Sequence, residues 1–297
     1  MTVTRLGLRR VTVPPMGVRA VLEWVLFPHV SLSDARLARA LGGKTVLITG
    51  ASFGIGEEVA RIVAHAGARV VLVARTADKL EALATEIRSA GGAAVVLAAD
   101  LTDGDAVDAL VAHLAERSLA PDIVVSNAGK SIRRSLFLSL DRFHDVTRTI
   151  GVNYLGPVRL ALAMIPGLVE RRGQIINVCA ANVLLLPAPN WAAYQASKSA
   201  FDQWLRCAGP ELRVRGVAVT SIYLPLVRTR MIAPTTIYNE TPAMKPQQAA
   251  RRVVRAMLNR QHWWTPWWLP PAHLASALFR GPWEVLAEWL QRRTLAR

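Results

Sequence analysis

A repeated alternation between short β-branched runs and helix-patterned segments constrains this chain more than any other feature. Lys44 to Thr49, Arg69 to Ala74, Ala94 to Ala98, Asp122 to Ser126, Gln174 to Val178 and Val217 to Tyr223 are largely continuous apolar runs. Stretches of helical spacing, such as Glu57 to Ala66 and Asp78 to Ala90, separate them. A strand that is apolar on both sides must be covered on both faces, and parallel strands are joined by the crossover helices that supply the cover. Six such strands predict an α/β fold with a doubly wound parallel sheet. No repeat, low-complexity tract or linker interrupts Gly43 to Arg260. Residues 44–260 are therefore expected to form one domain, between a basic amphipathic extension over 1–43 and a Trp-rich amphipathic helical extension over 261–297.

The turn after the first strand carries Gly50, Gly54 and Gly56, with Ser52, Phe53 and Ile55 among them. Glycines there let the backbone turn sharply and approach a pyrophosphate, whose charge is met by the N-terminus of the following helix. An ordinary strand-to-helix turn is the alternative. The strand before and the helix after favour a Rossmann-type dinucleotide site. Gly43-Lys44-Thr45 imitates the end of a P-loop, but Ala38 stands where its first glycine belongs and the residues precede the strand, so that reading fails. After the second strand, an acidic residue would bond the ribose hydroxyls of NAD, whereas an Arg accommodates a 2′-phosphate. Arg75 and Thr76 occupy this place, which predicts NADP(H).

Tyr194 and Lys198 are four residues apart in a helical stretch. Such residues share one face, so the ammonium is expected beside the phenol, lowering a pKa that is ~10 unperturbed toward the range of acid–base work. Taken alone, the pair is no more than a surface Tyr and Lys at a chance spacing. Together with the glycine turn and Ser126-Asn127-Ala128-Gly129 at the end of the fourth strand, it resembles the short-chain dehydrogenase/reductase family over about Lys44 to Met257. The resemblance implies that Asp100 and Leu101 touch the adenine, and that Asn127, Ala128 and Gly129 support the cofactor, as do Tyr194 and Lys198. It also implies that Pro225, Val227 and Thr229 line the nicotinamide amide and that Asn153 completes a catalytic tetrad through a water. A homo-oligomer, dimer or tetramer, is expected with it.

One family feature is missing. A serine is usual just after the fifth strand, where it holds the substrate oxygen, but Ala180 or Ala181 stands there, depending on where a one-residue insertion falls. Losing one donor to a developing oxyanion costs ~10²–10³ in rate. The amide of Asn182 is the expected substitute donor, with Cys179 a weaker one.

Two cysteines exclude a disulfide framework and point to a reducing, cytoplasmic compartment, and six histidines without ligand spacing argue against a metal. The net charge of +15 is spread, 31 of the 36 basic residues are Arg, and no helix-turn-helix, zinc-finger or RNP pattern accompanies them, so nucleic acid is not expected as a partner. Arg5, Arg9 and Arg10 are followed by Pro14 and Pro15 before any continuous apolar core, which argues against a secretory signal. Val18 to Phe27 is too short to span a bilayer and is expected to lie flat, and Gly173 to Ser197 reads as a strand and a loop.

Six of the nine tryptophans fall in the last 37 residues, and Trp283, Leu286, Ala287, Trp289 and Leu290 share one arc of a helix. Packing on its own domain or on a neighbouring subunit is favoured for this arc over peripheral contact with a membrane. Val227 to Tyr238 sits where the family keeps its substrate-covering loop, and with Leu184 to Leu186 it resembles the family's long-chain acyl and ketoacyl reductases. The reading is a cytoplasmic NADPH-dependent reductase of an apolar, acyl-chain carbonyl. Its alternative, prompted by the missing serine, is an NADP(H)-binding scaffold or sensor without redox turnover, or a catalyst of a non-redox step.

Overall fold

The computed structural model describes residues 18–295. Seven parallel strands form one sheet in the order β3-β2-β1-β4-β5-β6-β7. They are β1 (Thr45–Thr49), β2 (Arg69–Ala74), β3 (Ala93–Ala98), β4 (Ile123–Ser126), β5 (Gln174–Ala180), β6 (Ala218–Leu224) and β7 (Trp263–Trp264). Val46 lies between Val70 and Ile123, which fixes the register at the centre of the sheet. All six expected strands are present. The seventh, pairing Ser221 with Trp263 and Ile222 with Trp264, lies past residue 260, so the sheet continues into the stretch assigned to the C-terminal extension. Two tryptophans offer no periodicity by which such a strand can be recognised.

The alternation of strand side chains divides the core. Val46, Ile48, Val70 and Leu72 face α3 (Ile55–His65), α4 (Ala77–Ser89) and α9 (Pro246–Asn259). Leu47, Val71 and Val73 face α5 (Gly104–Glu116), α7 (Gly156–Glu170) and α8 (Ala192–Val214). The run from α6 (Phe143–Ile150) through a π-helical turn (Gly151–Leu155) into α7 is long and apolar enough to cross a membrane. Leu160, Ala161, Met164 and Leu168 bury its inner face on the sheet instead.

Among the described residues, both extensions pack in part on the sheet domain. At the N-terminal end, Phe27 is buried in the first core together with Leu37 and Leu41 of α2 (Asp34–Leu41), while α1 (Val18–Leu26) has no fully buried residue and packs its last, Leu26, against that core. The basic positions Arg5 to Arg10 lie outside the described residues. At the other end Leu269, the first residue of α10 (Leu269–Leu278), is fully buried. In α11 (Arg280–Leu295) none of the described side chains is buried. Of the terminal arc only Trp283 and Ala287 are half-buried, while Leu286, Trp289 and Leu290 are exposed. The helix is tied to the sheet domain by Trp283 Nε1, which donates to the Pro187 carbonyl over 2.9 Å.

Candidate active site

The glycine turn is built for close approach. Gly50 and Gly54 have φ of +66° and +69°, a region costly for any residue with a Cβ. A Cβ on Gly50 would come within 2.9 Å of Asn127 Nδ2, and one on Gly56 within 2.6 Å. Asn127 thus fills the space that the two glycines leave, donating from Nδ2 to the carbonyls of Thr49 (3.0 Å) and Gly50 (3.1 Å). Thr49 Oγ1 in turn accepts from the backbone N–H of Asn127 and of Ala128, each at 3.0 Å. The ends of β1 and β4 are locked together, leaving the turn open toward the N-terminus of α3. Thr229 stands over it: a Cβ on Gly54 would meet Thr229 Cγ2 at 3.0 Å, and the Arg230 guanidinium lies 5.6 Å from the Phe53 ring centroid. Ser52 and Ile55 are half-buried in the same turn.

At the neighbouring strand ends, Arg75 lies 3.7 Å from Asp100. Thr76 begins α4 in an extended conformation and makes no side-chain cap. The side chain of Leu101 is buried in the α5–α7 core, so any contact it makes with an adenine is through its backbone. Beyond β6, Pro225 is half-buried, and Val227 is buried where it bridges to Met244, pinning the base of the following loop.

The Tyr194 and Lys198 side chains enter from the first turns of α8. Lys198 is buried and its Nζ donates to the Val178 carbonyl of β5 over 3.3 Å. Gly129 is the wall beside it, since a Cβ there would stand 3.2 Å from Nζ and 3.0 Å from Asn153 Oδ1. Asn153 sits in the π-helical turn, a distortion that recurs at functional sites. Its Nδ2 donates to the Lys130 carbonyl (2.9 Å) and to Ser197 Oγ (2.8 Å), while its Oδ1 accepts from the Lys130 N–H (2.9 Å). Ser197 Oγ donates to the Tyr194 carbonyl over 2.8 Å, so Asn153 is joined to the helix that carries the phenol.

The electrostatics differ from the sequence expectation. Burial pushes the Tyr194 phenol above its ordinary range, Cys179 and Tyr238 add to the shift, and burial pulls the Lys198 ammonium below its own. In the chain by itself Lys198 is not among the groups that shift the phenol, and removal from water is the largest cause at both groups. Cys179 is buried and its thiol is pushed up to about 12, chiefly by burial, which leaves it a poor donor. Asn182 keeps its side-chain oxygen buried without a partner, while its carbonyl accepts from Gln195 Nε2 over 2.6 Å. Above Tyr194, the Trp191 ring lies 5.7 Å from the phenol ring and stacks at 6.1 Å on Tyr238, from the loop after β6.

The sequence model of the short chain dehydrogenases matches residues 44–238. The chain belongs to the short-chain dehydrogenase/reductase family. It is 46% identical over 228 residues to the fatty acyl-CoA reductase of Acinetobacter baylyi, a match covering 76% of this chain and 77% of that one. A short-chain dehydrogenase from Sphingobium yanoikuyae, solved with NADPH, superposes with a TM-score of 0.69 at 28% identity, covering 84% of this chain and 95% of its own. A 3-oxoacyl-[acyl-carrier protein] reductase from Brucella melitensis, solved with NAD, gives a TM-score of 0.66 at 26% identity, covering 77% and 91%.

As a member of this family the chain is an NAD(P)-dependent oxidoreductase, and its glycine turn fits that cofactor: Gly50 and Gly54 take positive φ and carry no Cβ where the turn leads into the N-terminus of α3, with Thr229 packed over Gly54. When bound, the nicotinamide supplies or accepts a hydride. Sequence reasoning missed several residues of this short-chain dehydrogenase/reductase site. Lys130 lies beside Asn153, and burial, then the charges of Arg148 and Arg75, hold its ammonium below the usual range. Ser197 and the Trp191–Tyr238 pair were missed as well. None of them belongs to a motif legible without the fold.

Proposed function

We propose that this enzyme uses NADPH to reduce the carbonyl of an apolar acyl-chain substrate. The observation that carries the reading is the placement of Tyr194: a half-buried phenol beside the Trp191 ring, which in turn stacks on Tyr238, with the buried Lys198 one helical turn further along α8. A proton donor in an apolar, aromatic lining suits a carbonyl on a hydrocarbon chain, and half-buried Leu184, Leu185 and Leu186 extend that lining. The likeness to a fatty acyl-CoA reductase supports the same substrate class. NADPH is favoured by Arg75, whose guanidinium suits a 2′-phosphate.

In this reading NADPH, when bound, would supply the hydride for the carbonyl carbon, and Tyr194 gives its proton to the oxygen that takes up the carbonyl electron pair. Lys198 steadies the phenolate that remains. Asn153 acts as a positioning residue, holding the Lys130 backbone against α8. Asn182 supplies from its amide Nδ2 the donor that a serine gives elsewhere in the family, while its Oδ1, an acceptor, is buried without a partner.

The test follows NADPH consumption with long-chain acyl-CoA, β-ketoacyl thioesters, aldehydes and ketones, using the parent and Tyr194→Phe. Turnover that favours long chains and is lost in the variant is expected. The absence of a hydroxyl at Ala180 favours a second reading, a nucleotide-binding scaffold. NADPH binding with no turnover on any of these substrates would establish it instead.

A further inference from the structure

Three loops at the C-terminal edge of the sheet border the site, and each holds, or is held by, an element with exposed apolar side chains. The first is the loop after β4. It is tied to the β5–α8 loop by the Arg134 N–H, which donates to the Asn190 carbonyl over 2.8 Å, and it leaves Leu136 68% and Phe137 75% exposed. The second is the loop after β5, against which the tail is fastened: Trp283 bonds Pro187 and His273 bonds the Leu184 carbonyl. The tail exposes Leu278 at 69% and Val285 at 70%. The third is the loop after β6, which holds α1. Arg19 donates to the Asn239 carbonyl over 2.8 Å, and Glu23 Oε1 accepts from Arg228 at 3.0 Å and from the Ala243 N–H at 3.2 Å. Helix α1 exposes Val18 and Trp24 and is joined to the tail by Trp267 Nε1, which donates to the Val25 carbonyl over 3.1 Å.

We infer that this apolar rim docks on an anionic lipid bilayer. Apolar area spread over three elements is far more than the scattered exposure of a surface in water. Charge selects the occupant. Residues 130–148 hold five basic and two acidic side chains, and α11 holds Arg292 and Arg293 near Trp289, with the Arg293 guanidinium 3.7 Å from its ring. Tryptophan with arginine on a helix that leaves Val285, Leu286, Trp289 and Leu290 exposed suits the headgroup layer. A second copy of a chain with net charge +15 would meet repulsion at this face, whereas acidic headgroups attract it. A second copy seated here would also cover the loops that border the site. The docking itself does not depend on the acyl-chain reading, and its test uses no turnover.

The test sediments the full-length protein with vesicles of phosphatidylcholine, with and without phosphatidylglycerol. Binding to the anionic vesicles that falls at least tenfold when salt is raised is expected, with little binding to the neutral ones. Trp24→Ser combined with Trp289→Ser, and separately Phe137→Ser, should each weaken it tenfold or more while NADPH binding is unchanged. In the parent, brominated lipids should quench tryptophan emission, a readout that stands even if a variant fails to fold. Equal binding to neutral vesicles, unchanged binding in the folded variants, or no quenching overturns the proposal. So does sedimentation velocity in which the variants split an oligomer while vesicle binding persists, which would make this face a contact between chains.

Discussion

The Arg75 guanidinium stands 3.7 Å from the Asp100 carboxylate across the ends of β2 and β3. Burial opposes the charge on Asp100, but the N–H and hydroxyl of Thr102, at 2.9 and 2.8 Å, and the nearby Arg75 outweigh it and hold the carboxyl below its ordinary range. Asp100 Oδ1 is therefore held by Thr102, and Arg75, 67% exposed and only 3.7 Å from Oδ2, can swing to a phosphate.

Cofactor choice follows from that pair. At equal concentration NADPH is expected to raise the melting temperature more than NADH, and Arg75→Asp to reverse the order. Tenfold tighter binding corresponds to about 1.4 kcal/mol, or roughly 3–5 °C for a domain of this size. Equal stabilisation of the unaltered protein by both nucleotides would refute the NADP(H) assignment.

The directions at Tyr194 and Lys198 set a pH dependence. Reduction needs the neutral phenol, and burial raises its pKa, so the rate of reduction should show no loss from phenol ionisation up to about pH 9. The reverse oxidation needs the phenolate and should climb with pH over the same range. Lys198 runs the other way in stability. Its folded pKa lies below the unfolded value, so folding expels a proton in the window between the two, and stability rises with pH across it. Lys198→Met should then unfold at a higher temperature than the parent in the absence of nucleotide at neutral pH, while its turnover is lost. A lower melting temperature would mean that the bond to Val178 outweighs desolvation.

A buried carboxylate behind the site gives a stability prediction. Asp202 Oδ1 accepts from Ser221 Oγ at 2.8 Å and Asn177 Nδ2 at 3.4 Å, and its Oδ2 accepts from the Tyr223 hydroxyl at 3.0 Å. All four residues are buried. Asp202→Ala leaves several donors without partners and is expected to cost about 3 kcal/mol, read as a lowered denaturation midpoint, with Asp202→Asn costing less. An Ala variant within 0.5 kcal/mol of the parent, about the noise of such measurements, would show that the network contributes nothing.

What could be read from the sequence was what repeats or has a motif. The runs around Val46, Val71 and Ile176 are apolar on both faces, and that alone implies a covered parallel sheet. Tyr194 and Lys198 are recognisable by spacing. The electrostatic sign was not legible, because spacing says that Lys198 is near the phenol while only the fold shows that Val178 accepts from its ammonium and that desolvation is the largest cause at both groups. Asn153 reaches Ser197 because a π-helical turn rotates it toward α8, and no residue pattern announces that turn. The arc of Trp283 to Leu290 was visible, but whether anything covers it depends on the position of α11 relative to Pro187.

The missing serine yields the last prediction. With alanine at 180 and 181, the developing charge on a carbonyl oxygen has Tyr194 as proton donor and Asn182 as the remaining amide, since the Cys179 thiol is buried with its pKa near 12. Tyr194→Phe should lower kcat by at least ~10³ with NADPH binding nearly intact, because proton transfer and one donor are lost together. Asn182→Ala should lower kcat by a smaller factor, ~10–10², with little change in KM, as expected of a donor that acts mainly in the transition state. Ala180→Ser restores a hydroxyl at small steric cost and is expected to raise turnover on simple ketones. If Asn182→Ala leaves kcat unchanged while Ala180→Ser raises it, the oxygen is met by no side-chain donor but Tyr194 in the parent, and the role given to Asn182 is wrong. If the parent is silent and only Ala180→Ser turns over, the parent is a nucleotide-binding protein whose chemistry was lost with one hydroxyl.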